Sequence, residues 1–486
     1  MSEDCDNGTR RSWPWPQVIQ GGMGVGVSGW RLARAVAASG QLGVVSGSLI
    51  DTVFVRRLQD GDEGGHMRRA MAAFPLPGVA AAVLATHFRP GGRPAGKPYR
   101  LLPVYSHEVT RERAALTILA SFCEVWLARE GHDGRLGMNL LTKVAMPNPA
   151  LLYGAMLAGV DVILMGAGIP REIPGVLDAL ARGDEAKLRL EVEGDAGGVE
   201  VFVRFDPRPH FGGVAPVLAR PAFFAIISSH LLASVLAKKA SGRVDGFVVE
   251  APTAGGHNAP PRDGGHDAAG EPLYGERDVV DLAKLRALGL PFWLAGGTGS
   301  PEQLRAALAA GARGVQVGSL FAFCDESGVE PTLRASALAA AARGEVRVHT
   351  DAKASPTGYP FKVARWPGGP SESDDEARER ICDLGALRMP YRTRHGAIAY
   401  RCPAAPVKVY VSKGGDAAAG VGRKCLCNAL LATVGQAQVR HDGRIEPPLV
   451  TAGDDFRHIA RFLNGRTHYS AANVVAWLVE GSATLV

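Results

Sequence analysis

The residues best suited to chemistry sit where short apolar runs give way to small residues. Gly246-Phe-Val-Val-Glu250 reads as a buried parallel strand, and Ala251-Pro-Thr-Ala-Gly255-Gly256-His257 follows it. Gly255 and Gly256 free the backbone, so that His257 is presented on a loop as a candidate general base, with Glu250 at the strand tip. A lone histidine on a loop is equally a hydrogen-bonded surface residue, and its weight depends on the other strand ends. Two of these, Gly296-Gly297-Thr-Gly299 and Gly318-Ser319, are turns whose backbone amides suit an anion such as phosphate. At the first strand end Gly21, Gly22 and Gly24 let a flat ring approach the backbone, and Asn139 offers an amide that both donates and accepts. A phosphate at one end, a planar ring near the first and third loops and a histidine over it suggest flavin mononucleotide.

The elements that must position these groups form a series. Apolar runs near residues 18, 42, 136, 162, 223, 247, 292 and 315 are each followed by helical patterning, including 30–38, 151–158, 173–180, 230–240, 279–288, 301–310 and 333–342. Eight βα units in this length predict an α/β fold, a (β/α)8 TIM barrel, whose active site lies at the carboxyl ends of the strands. Gly24-x-Gly26-x-x-Gly29 mimics a dinucleotide fingerprint, but the next strand ends in Gly47-Ser48 with no acid at its tip, and the strand series runs past a Rossmann half. Residues 188–206 alternate as a hairpin. Residues 75–107, rich in Pro, Gly and Arg, read as an insertion after the second strand, with a lid as one role. The barrel domain spans 17–366, a polar linker 367–379 and a smaller C-terminal extension 380–486, which is either a separate unit or a cover folded back over the barrel. No catalytic group is expected from that extension.

Hydrophobic residues at 46% and charged residues at 21% are those of a globular protein, and the net charge of +6 over 486 residues is modest. The basic cluster Arg89, Arg93, Lys97, Arg100, Arg111 and Arg113 reads as a solvated insertion, so nucleic acid is not an expected partner. No apolar run reaches the roughly 18 residues of a membrane span, and the start, a polar stretch carrying Trp13 and Trp15, has no signal-peptide core. A cytoplasmic protein without membrane association is expected, and a homo-oligomer stays open. Seven cysteines fit a reducing compartment. Cys382, Cys402, Cys425 and Cys427 crowd the last quarter, but one C-x-C with two distant thiols is a weak match to zinc spacing, and no metal is assigned.

Gln20-Gly-Gly-Met23-Gly, Gly137-Met-Asn139-Leu, Glu250 through Gly-Gly-His257, Gly296-Gly297, Gly314-Val-Gln-Val-Gly318-Ser319 with Glu326 following, and Phe361-Lys362-Val together resemble the FMN-dependent nitronate monooxygenases, or 2-nitropropane dioxygenases, over about residues 17–366. The resemblance implies that Gly22 and Met23 border the flavin, that Asn139 binds it, that Gly296, Gly297, Gly318 and Ser319 hold its phosphate, and that His257 is the catalytic base. Glu250, Gly255 and Gly256, at the same strand end as His257, are counted with the cofactor-binding set. It implies a flavoprotein oxidoreductase, a monooxygenase whose partners are a small-molecule nitronate and molecular oxygen and whose products are a carbonyl compound and nitrite. The related FMN enoyl-thioester reductases, which take hydride from NAD(P)H, share these motifs, and a barrel kept only as a binding subunit is the non-enzymatic alternative. The chain departs from the common family pattern with Gly22 where many members have proline and Ala259 where many have glycine.

Overall fold

The computed structural model describes residues 15–194 and 199–481; Trp13 lies outside them. Eight strands stand at the expected positions: β1 (Val18–Gln20), β2 (Gly43–Ser46), β3 (Leu136–Leu141), β4 (Val162–Gly166), β5 (Ala222–Ile227), β6 (Gly246–Glu250), β7 (Phe292–Ala295) and β8 (Gly314–Val317). All neighbours pair in parallel, in the order β1-β8-β7-β6-β5-β4-β3-β2. A parallel bridge between Ile19 and Leu42 joins the two ends of that order, with Gln20 N–H donating to the Leu42 carbonyl at 3.0 Å and Leu42 N–H to that of Val18 at 3.1 Å. The sheet is thus a closed (β/α)8 barrel.

Because strand side chains alternate, each strand serves two cores. Ile19, Val44, Leu164, Phe224, Val248 and Trp293 fill the barrel interior, while Val18, Val45, Ile163, Phe223 and Phe247 pack outward under the helices. Trp293 stacks on Phe224 with centroids 4.7 Å apart and donates its indole N–H to the Pro16 carbonyl at 2.8 Å; Trp15 lies edge-on to both rings and plugs this end of the barrel. Where β8 crosses the chain before β1 the approach is so close that a Cβ on Gly314 would stand 1.8 Å from the Gln17 carbonyl oxygen. Gly314→Ala is therefore expected to cost at least the ~1–3 kcal/mol typical of overpacking, read as a lowered urea midpoint; an unchanged midpoint would mean that the strand slides to make room.

Outside the barrel, Ala186–Leu190 and Val201–Phe205 form the expected antiparallel hairpin. The helix expected over 279–288 is shorter, Leu282–Arg286, because the Asp281 side chain caps it by accepting from Lys284 N–H at 3.1 Å, after a 3₁₀ turn at Glu276–Asp278. In 75–107 a helix spans Pro77–His87, and the chain beyond it is tied down by Tyr99, whose hydroxyl donates to Asp60 at 2.7 Å. A hairpin, Arg347–Asp351 with Phe361–Arg365, follows the barrel, and 367–379 carries a helix, Glu372–Ala377, capped by Ser371. The chain from 380 folds back across the barrel mouth: Phe456 stacks on Phe323 at 4.1 Å, Leu431 packs with Val25 and Val53, and Tyr469 donates to the Leu320 carbonyl at 2.7 Å.

Candidate active site

The carboxyl ends of all eight strands open into one cavity with about 1690 Å³ of atom-free space, part of it open to solvent. Gly22, Met23, Asn139, Glu250, Gly255, Gly256, His257, Gly296, Gly297, Gly318 and Ser319 all line it.

On one side, Asn139 at the end of β3 donates through Nδ2 to the Gly22 carbonyl at 2.8 Å. Gly22 permits this contact, since a Cβ there would stand 2.2 Å from Cβ of Asn139. That bond leaves Asn139 Oδ1 buried without a partner, and Gln316 Oε1, from β8, is orphaned in the same way. Both residues line the cavity, and buried acceptors without a partner call for N–H or O–H donors. Across the cavity, Gly296 and Gly297 take φ of +93° and +67°, which glycine alone adopts without strain. A Cβ on Gly318 would meet only the Met23 sulfur, at 3.7 Å, so a ligand can come close to that backbone. Glycine turns after β7 and β8, with Gln316 beside them and Asn139 on β3, fit a planar heterocycle with an anionic tail. Ser319 is already engaged, for its Oγ accepts from Gly453 N–H at 2.8 Å and is bonded to the Asp455 carboxyl, whose pKa burial pushes up.

His257 is held on three sides. Its Nε2 lies 2.7 Å from Ser355 Oγ, its ring stands edge-on to Phe361 at 4.9 Å, and its backbone bridges to Phe361. Ser355, fully buried, also lies 2.8 Å from Thr357 Oγ1 and accepts from Thr357 N–H at 3.2 Å. When Ser355 donates its proton to Thr357, its Oγ can accept from Nε2–H, and that tautomer would leave Nδ1 with the free lone pair that a base needs. Burial, and then the nearby Lys143 ammonium, push the His257 pKa down to about 4, so the ring is neutral at pH 7. Lys143 sits 3.0 Å over the Tyr359 ring, donates to the Thr357 carbonyl at 3.2 Å, and has its own pKa lowered by burial to about 8.

Ser355, Thr357 and Lys143 were not singled out from sequence. Their only signal is the turn-forming run Ser355-Pro-Thr357-Gly, which says nothing of a histidine almost a hundred residues away. The extension lies over the barrel mouth as a cover, and Leu387, Leu426, Leu430, Leu449, Thr451 and Gly453 build one wall of the cavity. Thr451 Oγ1 accepts from Gly256 N–H at 2.8 Å and so pins the histidine loop. The apolar face of the helix Leu426–Thr433 needs cover, and Phe361, Val25 and Val53 at the barrel mouth supply it. No residue of 75–107 lines this cavity.

Burial alone raises the Glu250 pKa to about 7. A carboxyl raised in the fold favours folding while it is protonated, and that advantage is lost as pH climbs from the unfolded value near 4.5 through 7. Glu250→Gln should therefore stabilise the cofactor-free chain at pH 8, by an amount on the order of 2–3 kcal/mol at about 1.4 kcal/mol per pKa unit, and leave it nearly unchanged at pH 4. Thermal melts at the two pH values check this, and an equal shift at both would assign the effect to packing.

The sequence model of the nitronate monooxygenase family matches residues 201–355. Among solved structures the chain is similar to FabK from Thermotoga maritima (16% identity, 96% of this chain and 92% of that one, TM-score 0.47). It is similar also to nitroalkane oxidase from Streptomyces ansochromogenes (16%, 96% and 95%, 0.46) and to the enoyl reductase domain of MlnA from the macrolactin biosynthesis cluster of Bacillus amyloliquefaciens (11%, 96% and 94%, 0.47). Proteins of curated function yield no match. The family match takes in the histidine loop, both glycine turns and Ser355, and over that stretch the chain is similar to the nitronate monooxygenases.

Proposed function

We propose that the chain is an FMN-dependent enzyme that oxidises alkyl nitronates, or a similarly stabilised carbanion, with molecular oxygen to a carbonyl compound and nitrite. The observation that carries this reading is His257, its Nε2 2.7 Å from Ser355 Oγ, in one cavity with the unpartnered amide oxygens of Asn139 and Gln316 and the glycine turns after β7 and β8. Gly296, Gly297 and Gly318 would hold the phosphate, and Gly22, Met23 and Asn139 would border the ring. When bound, FMN supplies the redox chemistry, accepting electrons from the carbanion and passing them to oxygen. His257 Nδ1 takes the α-proton of a neutral nitroalkane, and the Lys143 ammonium favours the anion that results. The leucine-rich wall from the extension keeps water from the alkyl group.

That same wall favours a second reading. A cavity faced by Leu387, Leu426, Leu430 and Leu449 offers an apolar lining to an acyl chain, which suits an enoyl-thioester reductase fed by NAD(P)H. The purified protein should be yellow and release FMN on heat denaturation. Anaerobic bleaching of the flavin by nitronate, with nitrite formed on admitting air, supports the first reading; bleaching by NADPH alone, with turnover of an enoyl thioester, supports the second. Release of FAD, or of no flavin, would remove both.

A further inference from the structure

The extension sets an acid where an anionic tail would call for cations. Asp455 lines the large cavity, and its carboxyl lies between the two glycine turns. It is within hydrogen-bond reach of Ser319, after β8, and a Cβ on Gly299, after β7, would stand 2.9 Å from Asp455 Oδ2. A Cβ on Gly453 would stand 2.9 Å from Asp455 Oδ1, so three stretches of backbone close around the carboxyl. Ser319 Oγ accepts from Gly453 N–H at 2.8 Å and gives its own hydrogen to Asp455.

Among the described residues that line the cavity there is no lysine or arginine. The groups around Asp455 do not make up for this. Asp454, next to it in the chain, is met by Lys362 Nζ at 3.1 Å and by Arg457 at 3.5 Å. Tyr469, on the side of the last helix, is kept neutral by burial and donates to the Leu320 carbonyl. Gly299 and Ser319 bring no charge. Two acids brought within hydrogen-bond reach cannot both stay ionised, and one proton comes to be held between them. Burial already disfavours the charged form of Asp455, so such a proton is readily taken.

We propose that Asp455 closes the anion end of the cavity and shares one proton with the phosphate of the bound flavin. This rests on the FMN reading of the cavity, and it adds that binding takes up a proton and that the extension, not the barrel alone, selects the tail.

Flavin binding to the full chain, stripped of cofactor, is followed by fluorescence quenching between about pH 6 and pH 9, with FMN and riboflavin as probes. Free phosphate takes its second proton near about pH 6, so the linkage shows above that value. There FMN affinity should fall as pH rises, by up to about tenfold per pH unit for one proton taken up, while riboflavin shows no such slope. Asp455→Asn keeps an oxygen for Ser319 and carries a permanent N–H donor. Its FMN affinity should be level with pH and exceed that of the wild type at pH 8 by about tenfold. The same FMN slope in wild type and Asp455→Asn, the same slope for FMN and riboflavin in wild type, or tighter binding of riboflavin than of FMN throughout would each overturn the proposal. The wild-type comparison of the two probes stands even if the variant fails to fold. Flavin bound with the wrong slope sinks only the shared proton, whereas no flavin bound at any pH sinks the FMN reading and the shared proton with it.

Discussion

His257→Asn should lower turnover of a neutral nitroalkane by about two to four orders of magnitude while a preformed nitronate keeps a much larger share of its wild-type rate. The neutral compound must lose its α-proton to a base, whereas the nitronate has already lost it. Asparagine is polar and of similar reach, so the contact with Ser355 can persist and the glycine turns are untouched, which keeps the flavin in place under the proposed reading. The wild-type base also has a distinctive pH behaviour. With its pKa held down to about 4 by burial and then by Lys143, His257 stays unprotonated across pH 6–8, and proton abstraction should not fall through the ordinary histidine value near 6.5. The developing nitronate charge offsets Lys143 and raises the basicity of the ring as the proton moves. The sign for folding is the usual one for a depressed group: the unfolded chain takes the proton first, so this contribution is full above pH 6.5 and is lost as pH falls toward 4. Ser355→Ala frees the ring to adopt the unproductive tautomer and should cost about tenfold, the worth of one hydrogen bond near 1.4 kcal/mol, on the neutral substrate only. Anaerobic flavin reduction by each substrate form is the measurement; equal losses for both forms would mean that His257 positions substrate rather than taking a proton.

The barrel was legible because its strands are buried on both faces and read as short apolar runs, each stopped by small residues. Val162-Ile-Leu-Met-Gly166 and Phe247-Val-Val-Glu250 could be little else. Site residues were legible where backbone geometry dictates residue type: Gly296 and Gly297 have positive φ, and Gly22 has no room for a Cβ beside Asn139. Residues that act through side-chain partners were not. Ser355 becomes meaningful only once the turn after Asp351 folds under His257, and Thr451 only once the extension reaches Gly256 N–H. Spacing is equally silent on the four cysteines, which reach one cavity from three separate stretches of chain. Asp455 is the clearest case, for an acid beside an expected phosphate turn contradicts simple charge matching, and it is tolerated because burial favours its neutral form.

A chain ending at residue 370 should not reach a cooperative fold. Truncation uncovers Phe323 by removing Phe456, and strips Leu431 from Val25 and Val53 and Leu426 and Leu449 from Phe361 and Val363. Loss of one large buried side chain costs about 3–5 kcal/mol, and here several go at once against a typical total stability of about 5–15 kcal/mol. Polar groups suffer as well. Gly256 N–H loses Thr451, the Leu320 carbonyl loses Tyr469, Glu326 loses the Ala471 N–H that it accepts from at 2.8 Å, and buried Arg56 loses the Gln436 carbonyl. Each unpaired buried group adds about 1–3 kcal/mol. The milder Phe456→Ala should fold but melt earlier, by the equivalent of about 3–5 kcal/mol, and should loosen the segment 451–455 that lines the cavity. Aggregation or dye binding without a sharp melt is the expected behaviour of the truncated chain. A soluble 1–370 chain with a cooperative transition and full flavin would make the extension a detachable unit, and its leucine wall would then be incidental to how the barrel holds together.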